Sequence, residues 1–186
     1  MRTRLTPSIL LCLVVGTASV ACGGAEPAGP RSPTAAKTSG GSGDGKGLKP
    51  GDKAPAFTLD SMNGAGKMTV APNKVTIVDF WATWCEPCKK SFPKLQELYV
   101  KYKASGLEIV AVSVDDEKTG INDFVKSHGA KFPVGWDDGH KVAEQWKPDP
   151  MPTSYIVGKD GLVKHVHRGF HDGDEVEIEK QLKALF

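Results

Sequence analysis

Short apolar runs alternate with amphipathic segments along the chain from residue 48 onward. Runs rich in β-branched residues at 75–80 and 107–114 predict buried strands. Residues 153–157 and 162–167 predict a second pair of strands. The Gly158-Lys-Asp-Gly161 segment joins this pair, and its Asp-Gly step is a strong hairpin signal.

Helical stretches separate these strands. Apolar residues recur at helical spacing from Cys85 to Ala104, and shorter helices are predicted at 121–128 and 141–146. Residues 175–186 close the chain with a further amphipathic helix. The order of elements predicts an α/β fold, with a central mixed sheet flanked by helices on both faces.

The first residues have the pattern of a secretory signal peptide, which we assign to residues 1–21. Arg2 and Arg4 precede an apolar run at 9–15, and small residues then lead to Cys22. The apolar run is shorter than the roughly 20 residues that a membrane-spanning helix requires.

The Ser19-Val-Ala-Cys22 segment resembles a bacterial lipobox, in which the cysteine becomes the lipid-modified first residue of the mature protein. Ser19 departs from that pattern, because leucine usually stands three residues before the cysteine. Under the alternative interpretation an ordinary signal is cleaved nearby and Cys22 is left free or removed. Cys12 leaves with the signal in both cases.

Residues 22–47 are rich in Gly, Pro, Ser, Ala and Thr, and after Cys22 they contain no large apolar side chain. Such a segment cannot bury enough surface to offset its chain entropy, so we predict a flexible tether and a single domain at 48–186. The charges nearly balance at a net +2, which argues against a nucleic-acid partner. Four cysteines are too few for a disulfide scaffold.

The chemistry is concentrated where the strand at 75–80 runs into the next helix. Cys85 and Cys88 stand three residues apart, and Pro87 lies in the first helical turn, where proline is tolerated. The helix N-terminus would stabilise a thiolate at Cys85, so Cys85 is the candidate nucleophile. Cys88, one turn further in, would resolve the mixed disulfide.

Three other interpretations of the cysteine pair are open. A zinc site needs four ligands, typically a second cysteine pair or paired histidines, and no further cysteine lies in the domain. A purely structural disulfide would close a very small loop and restrict the unfolded chain little. A peroxidatic site would have a threonine three residues before a cysteine without so close a partner, which this segment lacks.

Four segments together resemble the TlpA/ResA-type membrane-tethered thiol–disulfide oxidoreductases of the thioredoxin superfamily. They are Pro50–Phe57, Phe80–Cys88, Pro93 and Met151–Thr153, and the resemblance covers nearly all of residues 50–186. It implies a thioredoxin fold with an N-terminal strand extension, and it implies exchange of disulfides without a cofactor or metal.

The resemblance also implies that Pro152 is a cis-proline facing the cysteines. The backbone of Met151 would then bind an extended substrate segment by strand addition, with Thr153 starting the next strand. The alternative is an ordinary trans loop, because Pro148 and Pro150 make this stretch proline-rich.

Asp79 lies in an apolar run, where a carboxylate is costly unless it is paired or protonated. Its position matches the buried acid of thioredoxin, which implies proton transfer with Cys88; the alternative is a solvated aspartate at a strand end. Two departures weaken the match. Ser91 stands where the ResA-type subgroup has glutamate, and Ala111 stands where thioredoxin has lysine, which leaves the proton path to Asp79 and water.

Trp84 is predicted to form an exposed apolar rim that meets a substrate together with Glu86 and Pro87, whereas Trp81 is assigned to packing. The charge of Glu86 should disfavour a thiolate at Cys85, which favours a reducing protein over an oxidising one. His165 is predicted to lie with His167 on a solvated strand face.

We therefore expect a reductase of envelope-protein disulfides, held on the periplasmic side of a membrane by the lipid at Cys22. Apocytochrome c is one candidate substrate, and a membrane thiol donor would return the electrons. Two alternatives stay open: a disulfide-forming oxidase, and a non-catalytic module that carries a metal such as copper. Known copper carriers of this fold have more widely spaced cysteines.

Overall fold

The computed structural model describes residues 47–64 and 66–186, so the predicted signal peptide, Cys22 and most of the tether lie outside the described residues. The strands are β1 (Leu59–Asp60), β2 (Lys67–Met68), β3 (Val75–Trp81), β4 (Leu107–Ser113), β5 (Val134–Trp136), β6 (Thr153–Val157) and β7 (Val163–Arg168). The α-helices are α1 (Glu86–Tyr102), α2 (Ile121–Ser127), α3 (Lys141–Trp146) and α4 (Asp174–Lys183).

Five strands form one mixed sheet in the order β5-β4-β3-β6-β7. The pairs β3–β4 and β4–β5 are parallel, whereas β3–β6 and β6–β7 are antiparallel. Every residue of β3 is buried, because this central strand is covered on both faces. The predicted mixed sheet with helices on both faces is confirmed.

Neighbouring side chains of β3 point to opposite faces of the sheet and show which helices cover each face. The ring of Trp81 lies 4.5 Å from that of Phe92 in α1 and 4.6 Å from that of Phe124 in α2. The ring of Phe80 instead lies 5.8 Å from that of Trp146 in α3. Side chains on the Trp81 face, Asp79 among them, therefore lie beneath the helix that carries the cysteines.

An N-terminal hairpin of β1 and β2 covers the β5 edge of the sheet, in agreement with the predicted strand extension. Ser61 forms a bridge with Gly135, and the Met62 N–H donates to the carbonyl of Val134 at 2.7 Å. A Cβ at Gly135 would lie 2.6 Å from the sulfur of Met68 and 3.1 Å from the Cβ of Leu59, so a larger residue here would displace the hairpin's side chains. The hairpin thereby shields an edge that would otherwise be open to pairing.

The observed elements differ from the expected ones at a few points. The helix predicted to reach Ala104 ends at Tyr102 and continues as a 3-10 turn at Lys103–Ser105. The prediction of a solvated face for the two β7 histidines is wrong. His165 and His167 are half-buried beneath α4, because the face that carries them packs against that helix.

No helix among residues 47–64 and 66–186 is long and apolar enough to cross a membrane. Within the same residues, no group of three or more His, Cys, Asp or Glu side chains is arranged to hold a metal ion.

Candidate active site

Cys85 and Cys88 form a disulfide at the start of α1. Cys85 is the N-cap residue, and the backbone N–H of Cys88 donates to its sulfur at 3.2 Å. Cys85 is 4% exposed and Cys88 is fully buried. A helix N-terminus with an N–H aimed at sulfur favours negative charge there, so Cys85 is placed to react as a thiolate after reduction.

The loop that leads into Cys85 is anchored by a buried carboxylate at the end of β4. Asp115 accepts hydrogen bonds from the backbone N–H of Thr83 at 3.0 Å and from its hydroxyl at 2.6 Å. The hydroxyl of Ser113 donates to the other oxygen of Asp115 at 2.7 Å. These bonds tie the segment two residues before the nucleophile to the neighbouring strand, which restrains the position of Cys85.

The two tryptophans near the cysteines differ in exposure, as expected from the sequence. Trp84 is 68% exposed next to Cys85, although a large apolar side chain is usually buried. Trp81 is fully buried and packs against aromatic rings of α1 and α2. Trp84 thus offers an apolar contact surface beside the disulfide.

Glu86 is exposed, and its charge is partly offset. Its carboxylate forms an ion pair with Lys89 at 2.6 Å, which lowers the pKa of Glu86 mainly through the hydrogen bond from that lysine. Glu86 therefore opposes a thiolate at Cys85 less than an isolated carboxylate would. Pro87 is exposed in the same first helical turn.

The segment before β6 contains the expected cis peptide bond between Met151 and Pro152, and a second one between Asp149 and Pro150. The hydroxyl of Thr153 donates to the carbonyl of Pro150 at 2.5 Å. The carbonyl of Pro152 accepts from the N–H of Gly169 at 2.7 Å. Among the described residues, the backbone of Met151 takes part in no hydrogen bond.

A shallow groove of about 520 Å³ lies between Trp84 and the segment before β6. Trp84 and Met151 line it together with Ala143 and Glu144 of α3 and with Lys147, which follows that helix. A larger cavity of about 720 Å³ is lined by the N-terminal hairpin and polar side chains around Lys118, and it includes neither Trp84 nor Met151. The smaller groove is therefore the one that includes the residue next to Cys85 in the chain and the residue before the cis-proline.

Asp79 is fully buried in the middle of β3. Its Oδ1 accepts a hydrogen bond from the hydroxyl of Ser154 at 2.5 Å, and its Oδ2 has no partner among the described residues. Burial raises the pKa of Asp79 to about 7, although the bond from Ser154 acts in the opposite direction. Asp79 is therefore buried and able to gain or lose a proton near neutral pH.

Both departures from the family pattern lie close to this carboxylate. Ala111 pairs directly with Asp79 in the parallel ladder, so no lysine faces it from β4. Ser91 is buried on α1, and its hydroxyl donates to the carbonyl of Cys88 at 3.2 Å. From the sequence, water was the expected partner of Asp79 in proton transfer. The structure adds a hydrogen bond from the hydroxyl of Ser154.

A strand–turn–helix that presents a cysteine pair at a helix N-terminus, beside a cis-proline and above a buried acid, defines a thiol–disulfide oxidoreductase with a thioredoxin fold. Residues 50–166 match the model of the AhpC/TSA family, and the chain belongs to that family. The predicted resemblance to ResA-type oxidoreductases is confirmed by its similarity to the following proteins.

The chain is 37% identical over 136 residues to the thiol–disulfide oxidoreductase ResA of Bacillus thuringiensis (strain Al Hakam), covering 73% of this chain and 78% of that one. It is 37% identical over 123 residues to ResA of Bacillus subtilis (strain 168), covering 66% and 69% of the two chains. A crystal structure from Chlorobium tepidum, assigned as the thiol:disulfide interchange protein DsbE, matches with a TM-score of 0.70 and 34% identity. That match covers 74% of this chain and 98% of the other.

Sequence reasoning missed two residues of this site. Asp115 was not among the predicted site residues, but it anchors the loop of the nucleophile. Ser154 was not considered, although it follows the Met151–Thr153 motif directly. The sequence does indicate a role for Ser154, because its hydroxyl lies inside an apolar strand and a buried hydroxyl needs a hydrogen-bond partner.

Proposed function

We propose that this protein reduces disulfides of other proteins outside the cytoplasm. The observation that carries the proposal is the placement of Cys85. It caps α1, its sulfur accepts a hydrogen bond from the N–H of Cys88, and it is followed in the chain by an exposed first helical turn and preceded by the exposed Trp84, which lines a surface groove.

In the reduced protein, the Cys85 thiolate attacks one sulfur of a substrate disulfide and releases the other substrate sulfur as a thiolate. Cys88 then gives its proton to Asp79 and attacks the sulfur of Cys85. The mixed disulfide breaks, the second substrate sulfur leaves, and the Cys85–Cys88 disulfide forms. Two electrons pass to the substrate, and its two thiolates take protons from water. Asp79 holds the proton of Cys88 until it is released to solvent.

The substrate would be held as an extended segment across the cysteine pair. The backbone groups of Met151 are free of other hydrogen bonds in the described part of the chain, which suits strand addition. Trp84 would pack on an apolar side chain of that segment, and Glu86 and Pro87 would line the approach to Cys85.

The tether and the location belong to the same proposal. Cleavage after residue 21 would leave Cys22 as a lipid-modified first residue, and residues 22–47 would hold the domain at 48–186 near the membrane. The periplasmic side is the compartment where protein disulfides persist and need reduction. Disulfide-containing envelope proteins, apocytochrome c among them, are the proposed substrates, and a membrane thiol protein is the proposed donor.

Trapping tests the assignment of the two cysteines. Cys88→Ser should accumulate a mixed disulfide between Cys85 and a substrate protein, because the resolving thiol is missing. Cys85→Ser is the matched control and should trap nothing. Equal trapping by both variants, or trapping by Cys85→Ser alone, would reverse or remove the assignment.

The reduction potential tests the direction of electron flow. A Cys85–Cys88 couple below about −230 mV supports the reductase, and a value near −120 mV would make the protein an oxidant. The anchor is tested by Cys22→Ser, which should release the full-length protein from the membrane fraction. Retention of that variant in the membrane fraction would contradict a lipid at Cys22.

A further inference from the structure

A row of polar side chains crosses three strands of the sheet beneath α1 and α4. In the register of the sheet, Asp79 of β3 lies opposite Ser154 of β6, and Ser154 lies opposite His167 of β7. Directly paired residues of antiparallel strands share a face and have Cβ atoms about 4.5–5.5 Å apart. The three side chains are therefore neighbours on one face of the sheet.

Asp79 needs a route to solvent if it exchanges a proton with Cys88, so this inference rests on the proposed function. The carboxyl group is fully buried, and Cys88 above it is also buried. Ser154 is 7% exposed, whereas His167 is half-buried at the edge strand. Accessibility thus increases along the row from Asp79 towards His167.

The ring of His167 is oriented by α4. Its Nε2 lies 2.8 Å from Oε1 of Gln181, while the amide nitrogen of Gln181 donates to Glu177 at 3.2 Å. A carboxylate can only accept, so the amide oxygen of Gln181 faces the ring and Nε2 is the donor. Nδ1 is then the nitrogen available to accept a proton. The other titratable group on this face of β7 is His165, and from α4 it is Glu177.

The next row of the same sheet provides a contrast. His165 lies opposite Ile156, and Ile156 lies opposite Ile77. This row has a histidine at its outer end but only apolar side chains inside. The two isoleucines can neither accept nor pass on a proton, which makes His165 a matched control for His167.

We propose that Ser154 and His167 form a proton relay between Asp79 and solvent. After Cys88 has protonated Asp79, the O–H bond of the carboxyl group breaks and its proton binds Oγ of Ser154. The hydroxyl proton of Ser154 passes to Nδ1 of His167, directly or through one water, and His167 releases it to solvent. Asp79 returns to the carboxylate, Ser154 stays neutral, and no electrons move in this step.

The test follows, by tryptophan fluorescence, the single-turnover oxidation of the fully reduced protein by a fixed excess of oxidised glutathione after a jump from pH 6 to pH 8. Burial raises the pKa of Asp79 to about 7, so at pH 6 Asp79 starts protonated and must release its proton through the relay before it can accept one from Cys88. We expect Ser154→Ala and His167→Gln to slow the reaction by about tenfold. Ser154→Thr keeps the hydroxyl, and His165→Gln alters only the apolar row, so both should stay within about twofold of the wild type. Imidazole in the buffer should accelerate His167→Ala and leave Ser154→Ala unchanged.

The outcomes separate the relay from the function on which it rests. A wild-type rate for Ser154→Ala, or equal rates for His167→Gln and His165→Gln, would overturn the relay. The same holds if imidazole fails to accelerate His167→Ala. Asp79→Asn, measured alongside, should be slow. If Asp79→Asn is fast, the acid–base role of Asp79 fails too. If only Asp79→Asn is slow, the relay alone is wrong.

Discussion

Two buried aspartates lie near the reactive cysteines, and their carboxyl groups differ in how many hydrogen bonds they accept. Asp115 accepts hydrogen bonds from the N–H and hydroxyl of Thr83 and from the hydroxyl of Ser113. Asp79 accepts one bond, from Ser154, and its second oxygen has no partner among the described residues. A carboxylate that accepts several hydrogen bonds can hold a loop in place, whereas a buried one with a single donor is driven towards the neutral acid.

The comparison assigns different tasks to residues of the same type. Asp115 restrains the loop that leads to Cys85 and does not take part in the reaction. Asp79 lies on the face beneath α1, where a proton can be held and released. If this distinction is correct, replacing the two carboxyl groups must change the stability of the protein in opposite directions.

Removing the charge of Asp79 should have the largest effect, and it should stabilise the protein at high pH. Because burial raises the pKa of Asp79 from 3.8 to about 7, the folded state binds a proton that the unfolded state releases. Stability from this group is fully present below pH 4 and is lost as pH rises through 7, by about 4 kcal/mol in total. Asp79→Asn avoids this loss.

Urea unfolding of the oxidised protein at pH 4, 6 and 8 measures the effect. The free-energy difference between Asp79→Asn and the wild type should grow with pH by about 4 kcal/mol. Asp116→Asn, at an exposed position near the same site, should follow the wild-type curve. Parallel curves for Asp79→Asn and the wild type would mean that Asp79 is ionised at no cost.

Asp115→Ala should destabilise the protein by about 3 kcal/mol, because it leaves the buried Ser113 hydroxyl and the Thr83 N–H without their acceptor. Urea unfolding at pH 7 measures this loss. Asp116→Ala is the control and should change stability by less than about 0.5 kcal/mol. A loss below about 1 kcal/mol for Asp115→Ala would indicate that water replaces the carboxylate and that the loop does not depend on it.

Ser154→Ala tests the hydrogen bond that the Asp79 carboxyl group accepts, the single one it has among the described residues. That bond lowers the pKa of Asp79, so its loss should move the titration midpoint of the carboxyl group upward by about one pH unit. Carbon-13 NMR of labelled aspartate would follow the midpoint. Ser154→Thr should preserve it, and a downward movement in Ser154→Ala would contradict the assigned bond.

The sequence predicted the parts of this site that are local in the chain. The apolar run at 75–80, the helix behind Cys85 and the Asp-Gly hairpin depend on neighbouring residues, and the structure confirms them. The cis bond before Pro152 came from the family resemblance and is also confirmed.

The missing parts depend on contacts between distant segments. Asp115 binds Thr83 across 32 positions, and Ser154 binds Asp79 across 75. Such pairs are set by strand order and register, which hydrophobic periodicity does not specify. Strand β5 was missed for a similar reason, since its three residues with a central glycine become a strand only beside β4.

The smallest effect is expected at the third carboxylate near the cysteines, that of Glu86, which is exposed. Its charge opposes a thiolate at the N-terminus of α1, and Lys89 offsets it in part. Glu86→Gln should therefore increase the rate at which iodoacetamide alkylates Cys85 in the reduced protein at pH 7, by about two- to fivefold at low ionic strength. Added salt should shrink the difference by screening.

Glu97→Gln, on the same helix and paired with Lys94, is the matched control and should leave the rate unchanged. Slower alkylation of Glu86→Gln would show that Glu86 assists the thiolate, which would remove the charge-based reason for a reducing protein.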